Sequence, residues 1–366
     1  MFAPIIAPQA SAPPRRPRRG TTRRRLLAAA GTLILAATAA CSTTDAPGRT
    51  TIVIADSFSA KHPVGAGVQA FVKALRADGA KVGIDVDYYA AGQLGKQKEM
   101  LTLVRTGAVD MGIMIPSYLA NDLPLSGVGD LPGLVDDPCV TTQVLDPLVR
   151  PGGIVFEKEI KARGIVPVYG ASIAGYEVFT STRAIPTPES IRDLLIRSPG
   201  GVGDRVAAGI GVTPITMPVN DLYEAVSRGT VDGALLARYA MISYSLQEVL
   251  THGTQDANLG TVTTWMSMNA AKWNGLNDAQ KKVVLDAGEI GRATACKSVA
   301  AADTAAVATL KKAGVTFDPV TPETRPGWDA ALAGIRTSWT RDLDGVGLPA
   351  SEVLRAVEAR IGEVVR

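Results

Sequence analysis

Short apolar segments alternate with segments of helical spacing between residues 51 and 115, and this alternation constrains the fold more than any other feature. The runs 51–55, 82–88 and 111–115 are β-branched or alternate in polarity, which predicts strands. The segments 63–75 and 96–106 place apolar residues at helical spacing, which predicts helices. Strands and helices in alternation with short links are typical of a parallel sheet covered by helices.

A second set of the same kind follows without visible sequence repetition. It predicts strands at 166–169, 178–179, 195–198 and 231–236, and helices at 188–194, 204–210 and 217–228.

Residues 277–313 predict one long helix, rich in alanine and without proline. A helix of about 35 residues reaches ~50 Å, which is enough to brace two domains. Gly288 and Gly291 each weaken it by about 1 kcal/mol relative to alanine. Two amphipathic segments, 325–343 and 350–364, complete the chain.

The first forty residues are typical of an export signal. They contain seven arginines, no lysine and no acid, and an apolar stretch at 26–40 that is too short for a permanent membrane span, which needs about 20 residues. Residues 22–27 fit a twin-arginine pattern. Cys41 lies where a lipobox places the acylated cysteine, although Thr38 departs from the usual leucine; the alternative is a secreted protein in which Cys41 is ordinary. Residues 41–48 are polar and short, and we interpret them as a tether.

Without this leader the chain has 31 basic and 35 acidic residues, a net charge of −4. Neither a basic face nor interleaved aromatic residues are present, so the sequence does not indicate nucleic-acid binding. Two cysteines other than Cys41 remain, Cys139 and Cys296. One interpretation is a single disulfide and the other is two separate buried thiols. With two histidines and no CxxC or HExxH motif, no metal site and no cofactor is predicted.

No catalytic motif is found in the sequence. GxSxG, GxGxxG and the phosphate-binding GxxxxGK[ST] are absent. His62 precedes a proline at a helix start, where a capping or surface role is expected, and His252 lies in a predicted loop. The sequence therefore favours a protein that binds a small molecule in the crevice of an α/β fold and closes by a hinge, and it does not favour an enzyme.

Seven stretches follow one another in a characteristic order and spacing: 88–95, 99–101, 107–112, 196–199, 211–226, 228–233 and 273–276. Taken together, across about residues 50–315, they resemble the substrate-binding subunits of TRAP (tripartite ATP-independent periplasmic) transporters. The resemblance implies a two-lobed, periplasmic-binding-protein-like α/β fold with a ligand cleft between the lobes and a long helix spanning both. By analogy, lobe I takes residues 49–173 and 262–301, and lobe II takes 174–261 and 302–366.

The resemblance also implies that Arg197 binds a ligand carboxylate. A guanidinium suits that role because it is planar, permanently charged and able to make two parallel hydrogen bonds. Arg197 follows the apolar residues 194–196, so its charge needs a partner; the alternative is an internal salt bridge.

Other expected ligand-binding positions depart from the family pattern. Glu177 aligns where a second arginine is common, and Leu236 and Asp56 align where asparagines are common. The remaining positions expected to line the pocket are Ile115, Gly200, Val219 and Trp265.

Two ligand hypotheses follow from these departures. In the first, a zwitterionic ligand places its positive nitrogen against Glu177 or Asp56. In the second, Glu177 pairs with Arg205 or Arg238 and the ligand is a simple apolar carboxylate. The implied partners are a small organic acid, the membrane permease of an ion-driven transporter and, through Cys41, the outer face of the cytoplasmic membrane. A receptor for a sensor kinase and a secreted hydrolase or lyase are the alternatives.

Overall fold

The computed structural model describes residues 49–59 and 61–365. The predicted signal peptide and the tether, with the lipidation site Cys41, lie outside the described residues. No helix in the described part of the chain combines the length and apolar character that crossing a bilayer requires.

Two β-sheets organise the molecule. The strands are β1 (Thr50–Ala55), β2 (Ile84–Tyr89), β3 (Met111–Met114), β4 (Ile165–Ser172), β5 (Tyr176–Thr180), β6 (Leu195–Ser198), β7 (Thr213–Thr216), β8 (Gly233–Ala237), β9 (His252–Gln255), β10 (Thr263–Asn269) and β11 (Thr316–Pro319). The helices are α1 (Pro63–Gly79), α2 (Met100–Thr106), α3 (Pro138–Val149), α4 (Ile154–Lys158), α5 (Val202–Gly209), α6 (Leu222–Ser227), α7 (Arg238–Ser243), α8 (Ala270–Gly275), α9 (Asp278–Lys312), α10 (Arg325–Leu332), α11 (Ile335–Asp344) and α12 (Ala350–Val364).

The first sheet has the order β2-β1-β3-β10-β4, and the second has the order β11-β9-β5-β8-β6-β7. We call each sheet and the helices packed on it lobe I and lobe II. The two-lobed α/β architecture predicted from the sequence is confirmed. The first sheet is not wholly parallel, because β10 is inserted antiparallel to both β3 and β4. The chain reaches β10 only after it has formed strands β5 to β9 of lobe II. The sequence pattern of residues 51–115 alone therefore does not predict this strand.

Two of the segments that cross between the lobes lie side by side. One runs from β4 to β5 and the other from β9 to β10. They bond to each other, since the amide of Ile173 donates to the carbonyl of Val262 (2.8 Å) and the amide of Tyr176 donates to the carbonyl of Gly260 (2.8 Å). The chain crosses again through α9, which leads from β10 in the first sheet to β11 in the second.

Helix α9 begins and ends within one residue of the predicted long helix. Asn277 caps it, and the capping box with Gln280 satisfies amides at its first turn. The helix packs against α1 and β4 in lobe I and against α7 in lobe II, where Arg238 pairs with Asp303. Its contacts therefore extend to both lobes.

A disulfide joins Cys139 in α3 to Cys296 in α9, with a Cα–Cα distance of 4.8 Å. Helix α12, in the range expected for lobe II, packs against α3 and α4 beside the first sheet. The segment predicted as a helix at 188–194 forms only a 3₁₀ turn, Pro188–Ile191, and His252 begins a strand where a loop was expected.

Candidate functional site

A small, nearly closed cavity lies between the two lobes, beside the paired crossing segments. Its wall is rich in aromatic residues and poor in charge. Lobe I contributes Phe58, His62, Gln97, Ile115 and Tyr118; lobe II contributes Val219, Leu236, Ala237, Tyr239, Ala240 and Tyr244; the crossing segments and the start of β5 contribute Ile173, Tyr176 and Val262. In the part of the chain that the structure describes, two larger surface depressions contain none of the predicted ligand-binding residues.

Arg197 in β6 is fully buried and contacts the wall of this cavity through Tyr118. Its Nη2 donates to the Tyr118 hydroxyl (2.8 Å), its Nε donates to the carbonyl of Met217 (2.9 Å) and its Nη1 donates to that of Leu235 (2.9 Å). Among the described residues no carboxylate forms an ion pair with this guanidinium. Arg197 is therefore a buried permanent charge held only by neutral oxygen atoms, an arrangement that is costly unless an anion completes it.

Tyr118 and Tyr176 flank the guanidinium. Burial raises the pKa of Tyr176 far above its ordinary value, and the neighbouring Arg197 only partly opposes that rise. The Tyr176 hydroxyl therefore stays protonated at every physiological pH, and it does not supply the counter-charge that Arg197 lacks.

An aromatic group covers another part of the cavity. The ring of His62 stacks on Phe58 (4.3 Å between centroids) and meets Tyr239 edge-on (5.4 Å). Burial lowers the pKa of His62 to about 3, so the imidazole is neutral. Its Nδ1 accepts a hydrogen bond from the amide of Val64 (3.2 Å), which places the ring proton on Nε2. His62 caps α1, as its position before Pro63 predicts, but it is buried and lines the cavity.

Gln97 lies on the same wall in a loop fastened to the β1–α1 connection. The amide of Ala91 donates to the carbonyl of Phe58 (3.1 Å), and the amide of Gly92 donates to the carbonyl of Asp56 (2.9 Å). The Glu99 carboxylate accepts from the Lys96 amide and fixes the turn in which Gln97 lies. Gln97 is 2% exposed, yet neither its amide nitrogen nor its amide oxygen has a hydrogen-bond partner within residues 49–59 and 61–365.

The structure places only some of the predicted ligand-binding residues on this cavity. Ile115, Val219 and Leu236 line it, and Arg197 reaches it through its contact with Tyr118. Gly200 packs against the backbone of Ser117 and does not line it. Trp265 is buried in β10 and lines a separate small void behind β4.

Glu177 does not line the cavity, in contrast to its predicted role. Its carboxylate accepts from the Thr254 hydroxyl (2.6 Å) and from the amides of Asp256 and Ala257 (3.0 Å each). Burial raises its pKa to about 7, although these hydrogen bonds and Arg238 oppose the rise. Arg205 is bound elsewhere, to Asp342 (2.7 Å). Glu177 thus holds the end of β9 in place.

Asp56 is also turned away from the cavity wall. Its carboxylate accepts from the amide of Phe58 (2.8 Å) and from the Tyr88 hydroxyl (2.9 Å). Burial raises its pKa to about 7. Its hydrogen bonds hold the β1–α1 connection, which carries Phe58 and His62 to the cavity.

The aromatic and amide side chains of the wall are absent from the sequence-based prediction. Gln97 follows a predicted loop, Tyr118 follows β3, and Tyr239 and Tyr244 follow β8, so each lies after a strand or at a turn where ligand sites concentrate. That position is the signal that could have identified them. Within the described residues, no group of three or more His, Cys, Asp or Glu side chains is arranged to hold a metal ion.

The comparisons with known proteins agree on one family. The family described as "Bacterial extracellular solute-binding protein, family 7" (DctP) matches residues 54–341. A "Solute-binding protein" from Albidiferax ferrireducens is 25% identical over 263 residues, which cover 71% of this chain and 76% of that protein.

Two solved structures share the fold at lower identity. A marine metagenome TRAP solute-binding protein, specific for aromatic acid ligands and bound to metahydroxyphenylacetate, is 22% identical with a TM-score of 0.78, covering 87% of this chain and 100% of that one. A TRAP periplasmic solute-binding protein from Sulfitobacter sp. NAS-14.1 with bound β-D-galacturonate is 18% identical with a TM-score of 0.74, covering 85% and 100%. With the family match spanning most of its length, this chain belongs to family 7 of the bacterial extracellular solute-binding proteins and is a solute-binding receptor of the TRAP type.

Proposed function

We propose that this receptor captures a small aromatic carboxylate, with Arg197 as the group that binds the acid, and passes it to the permease of a TRAP transporter. The observation that carries the proposal is the buried guanidinium without an acidic partner among the described residues. Its three hydrogen bonds to Tyr118, Met217 and Leu235 use one N–H on each nitrogen, and the Tyr176 hydroxyl also contacts the guanidinium. Each Nη has one further N–H, and we propose that the carboxylate accepts from this pair in place of Tyr176. Two such donors match the two oxygens of a carboxylate.

The character of the wall supports an aromatic ligand. Phe58, Tyr118, Tyr176, Tyr239 and Tyr244 line the cavity, and aromatic rings favour offset or edge-on contacts with another ring. A sugar acid would need a hydrogen-bond partner for each hydroxyl, and several polar groups of this wall, those of His62, Tyr118 and Tyr176, already have partners within the protein. Solved relatives hold ligands of both kinds, an aromatic acid in one and β-D-galacturonate in another.

The positions of the two acidic residues favour a ligand without a positive nitrogen. The carboxylate oxygens of Glu177 and Asp56 accept hydrogen bonds from the protein, and neither residue lines the cavity. We therefore propose the simple carboxylate over the zwitterion. We also propose that the protein acts by binding alone, without catalysis.

We further propose that the mature receptor is anchored outside the cytoplasm by acylation of Cys41, after export through the twin-arginine route. The leader composition and the position of Cys41 support this anchor. Mass measurement of the protein recovered from membranes tests it: a diacylglyceryl mass on the wild type, absent from Cys41→Ser, is the expected result, and an unmodified wild type contradicts it.

Titration calorimetry with phenylacetate and its uncharged amide tests the carboxylate site. The wild type should bind the acid and discriminate strongly against the amide. Arg197→Ala should weaken binding of the acid by a factor of roughly 30 to several thousand, and Arg197→Lys should also be harmful because the planar fork is lost.

Arg205→Ala is the matched control, because that arginine pairs with Asp342 and does not line the cavity. Melting curves check that each variant is folded. If Arg197→Ala retains the wild-type preference for acid over amide, Arg197 is not the carboxylate-binding group.

A further inference from the structure

The proposed carboxylate site does not account for the buried side-chain amide of Gln97. Among the described residues neither of its polar atoms has a hydrogen-bond partner, although the residue is 2% exposed and lines the cavity. The hydroxyl of Tyr239, also on the wall and 2% exposed, has no partner in this part of the chain either. Buried polar groups in native proteins are nearly always hydrogen-bonded, so two unpaired groups on one cavity indicate that their partner is the ligand.

The loop that carries Gln97 is held from both sides. Backbone hydrogen bonds tie its loop to the ends of β1, and the Glu99 carboxylate fixes the turn from the other side. A methionine or leucine at this position would fill similar space without burying an unpaired amide. These contacts hold the Gln97 side chain at the cavity, and none of them requires an amide at this position.

The two groups are neutral and of complementary type. An amide offers an acceptor oxygen and a donor nitrogen, and a tyrosine hydroxyl can donate or accept. Burial raises the pKa of Tyr239 well above its ordinary value, so the hydroxyl keeps its proton. This part of the wall therefore suits an uncharged group that both donates and accepts hydrogen bonds.

We infer that Gln97, assisted by Tyr239, forms a second polar subsite that binds a hydroxyl group on the ring of the ligand. The inference rests on the proposed function, because it takes the acid of the same ligand to be bound by Arg197. It narrows the ligand to hydroxylated aromatic acids. A site built to hydrogen-bond a hydroxyl discriminates strongly against the analogue that lacks it, because the buried polar groups are then left unpaired.

The experiment compares two matched pairs of probes by titration calorimetry: 3-hydroxybenzoate with benzoate, and 3-hydroxyphenylacetate with phenylacetate. For at least one pair the wild type should bind the hydroxylated acid roughly ten- to hundredfold more tightly. Gln97→Met should lose this preference by weakening only the hydroxylated acid. Gln247→Met is the matched control, since Gln247 is partly buried and lies outside the cavity wall.

Stability supplies a second readout. Ligand-free Gln97→Met should melt at the same temperature as the wild type or higher, because the substitution removes unpaired polar atoms from the interior. A residue with a merely structural role would instead lower the melting temperature and leave the preference between the probes unchanged.

The outcomes separate this inference from the proposed function. Equal affinity of the wild type for both members of each pair, or a preference that survives in Gln97→Met, overturns the subsite and leaves the carboxylate receptor standing. If 3-methylphenol, which has the hydroxyl and no acid, binds as tightly as the acids and Gln97→Met abolishes its binding, the subsite stands and the carboxylate site fails. If none of the probes binds, both fail.

Discussion

The hydroxyl of Tyr118 accepts a 2.8 Å hydrogen bond from Nη2 of Arg197, and this bond joins the two lobes at the ligand site. The same oxygen accepts a second bond from the amide of Val219 (3.2 Å). Tyr118 lies in a 3₁₀ turn after β3 in lobe I, whereas both donors belong to lobe II. One side chain thus joins the two lobes, and under the proposed function it links their closure to the position of the group that binds the acid.

Removing the Tyr118 hydroxyl should weaken the binding of every ligand that is held between the closed lobes. Tyr118→Phe leaves two N–H groups of lobe II unpaired, which costs about 1–3 kcal/mol, or roughly a 5- to 150-fold loss of affinity. Calorimetry measures the affinity, and small-angle scattering measures closure on ligand addition. Tyr223→Phe is the control, because its hydroxyl bonds only the surface residue Glu248. Tighter binding by Tyr118→Phe would contradict this account and would mean that the hydroxyl competes with the ligand for Arg197.

The disulfide should stabilise the fold without affecting the ligand site. Cys139 and Cys296 are 157 residues apart in sequence and link α3 to α9, and neither lines the cavity. Replacing both by alanine should lower the free energy of unfolding by about 2–5 kcal/mol and leave affinity unchanged. Chemical unfolding with and without reductant provides the measurement. Reductant should destabilise the wild type and have no effect on the double variant; equal sensitivity of the two proteins would show that the bond is not formed in solution.

The local pattern of the sequence was sufficient for much of the fold. Helix α9 and strands β1, β3 and β6 lie within one or two residues of their predicted bounds, because each has a strong apolar period or a clear cap. Strands β7, β9 and β11 were not predicted. Each has only four residues, some of them partly exposed, so the alternation of apolar and polar residues is too short to predict a strand. The insertion of β10 was missed because it depends on long-range topology.

The candidate site was harder to predict than the fold. Arg197 was expected at the site because of the family resemblance, and its charge beside apolar residues agrees with a need for a partner. Glu177 and Asp56 were expected there from the same resemblance, but their partners are backbone amides and hydroxyls contributed by other segments, which sequence spacing cannot reveal. Gln97 and Tyr239 gave only a weak signal, their position after a loop or a strand, since an amide or a tyrosine at such a position is ordinary. Only their unpaired state inside a cavity distinguishes them.

The buried carboxyl of Asp130 should make stability depend on pH. Its Oδ1 accepts from the amide (2.9 Å) and hydroxyl (3.2 Å) of Thr263, its Oδ2 is unpaired, and burial raises its pKa to about 7 from an ordinary value of 3.8. Between those two values the folded protein holds a proton that the unfolded chain has released. The stabilisation is therefore complete below pH 3.8 and is lost as pH rises towards 7, by at most about 1.4 kcal/mol per pH unit.

Asp130→Asn removes this titration while keeping the oxygen that Thr263 contacts. The variant should gain stability relative to the wild type as pH rises from 5 to 8, because the wild type alone must ionise a buried group. Urea unfolding at the two pH values measures the difference, with the exposed Asp286→Asn as control. The pKa values of Asp56 and Glu177 are also raised. Both residues are present in the wild type and in the variant, so their effect on stability cancels when the two proteins are compared. A stability difference that is the same at pH 5 and pH 8 would contradict the assignment.

Gly291, which weakens α9 as an isolated helix, is required where that helix crosses α1. A Cβ at Gly291 would lie 2.9 Å from the Cβ of Phe71 and 3.2 Å from the carbonyl oxygen of Gly67. One at Gly67 would lie 2.6 Å from the Cβ of Ala295. Real Cβ atoms essentially never approach others below 3.0 Å, so both positions are small because the helix backbones are in close contact.

Gly291→Ala should therefore destabilise the protein by about 1–3 kcal/mol through overpacking, although alanine favours a helix by about 1 kcal/mol. Gly362→Ala is the matched control, because no atom lies within 4 Å of its Cβ position in α12. There the helix preference acts alone and should raise the free energy of unfolding by about 0.5–1 kcal/mol. Thermal and urea unfolding of the two variants should shift in opposite directions. A gain in stability for both would mean that α1 and α9 are farther apart than the structure places them, and that the long helix braces the lobes without this close crossing.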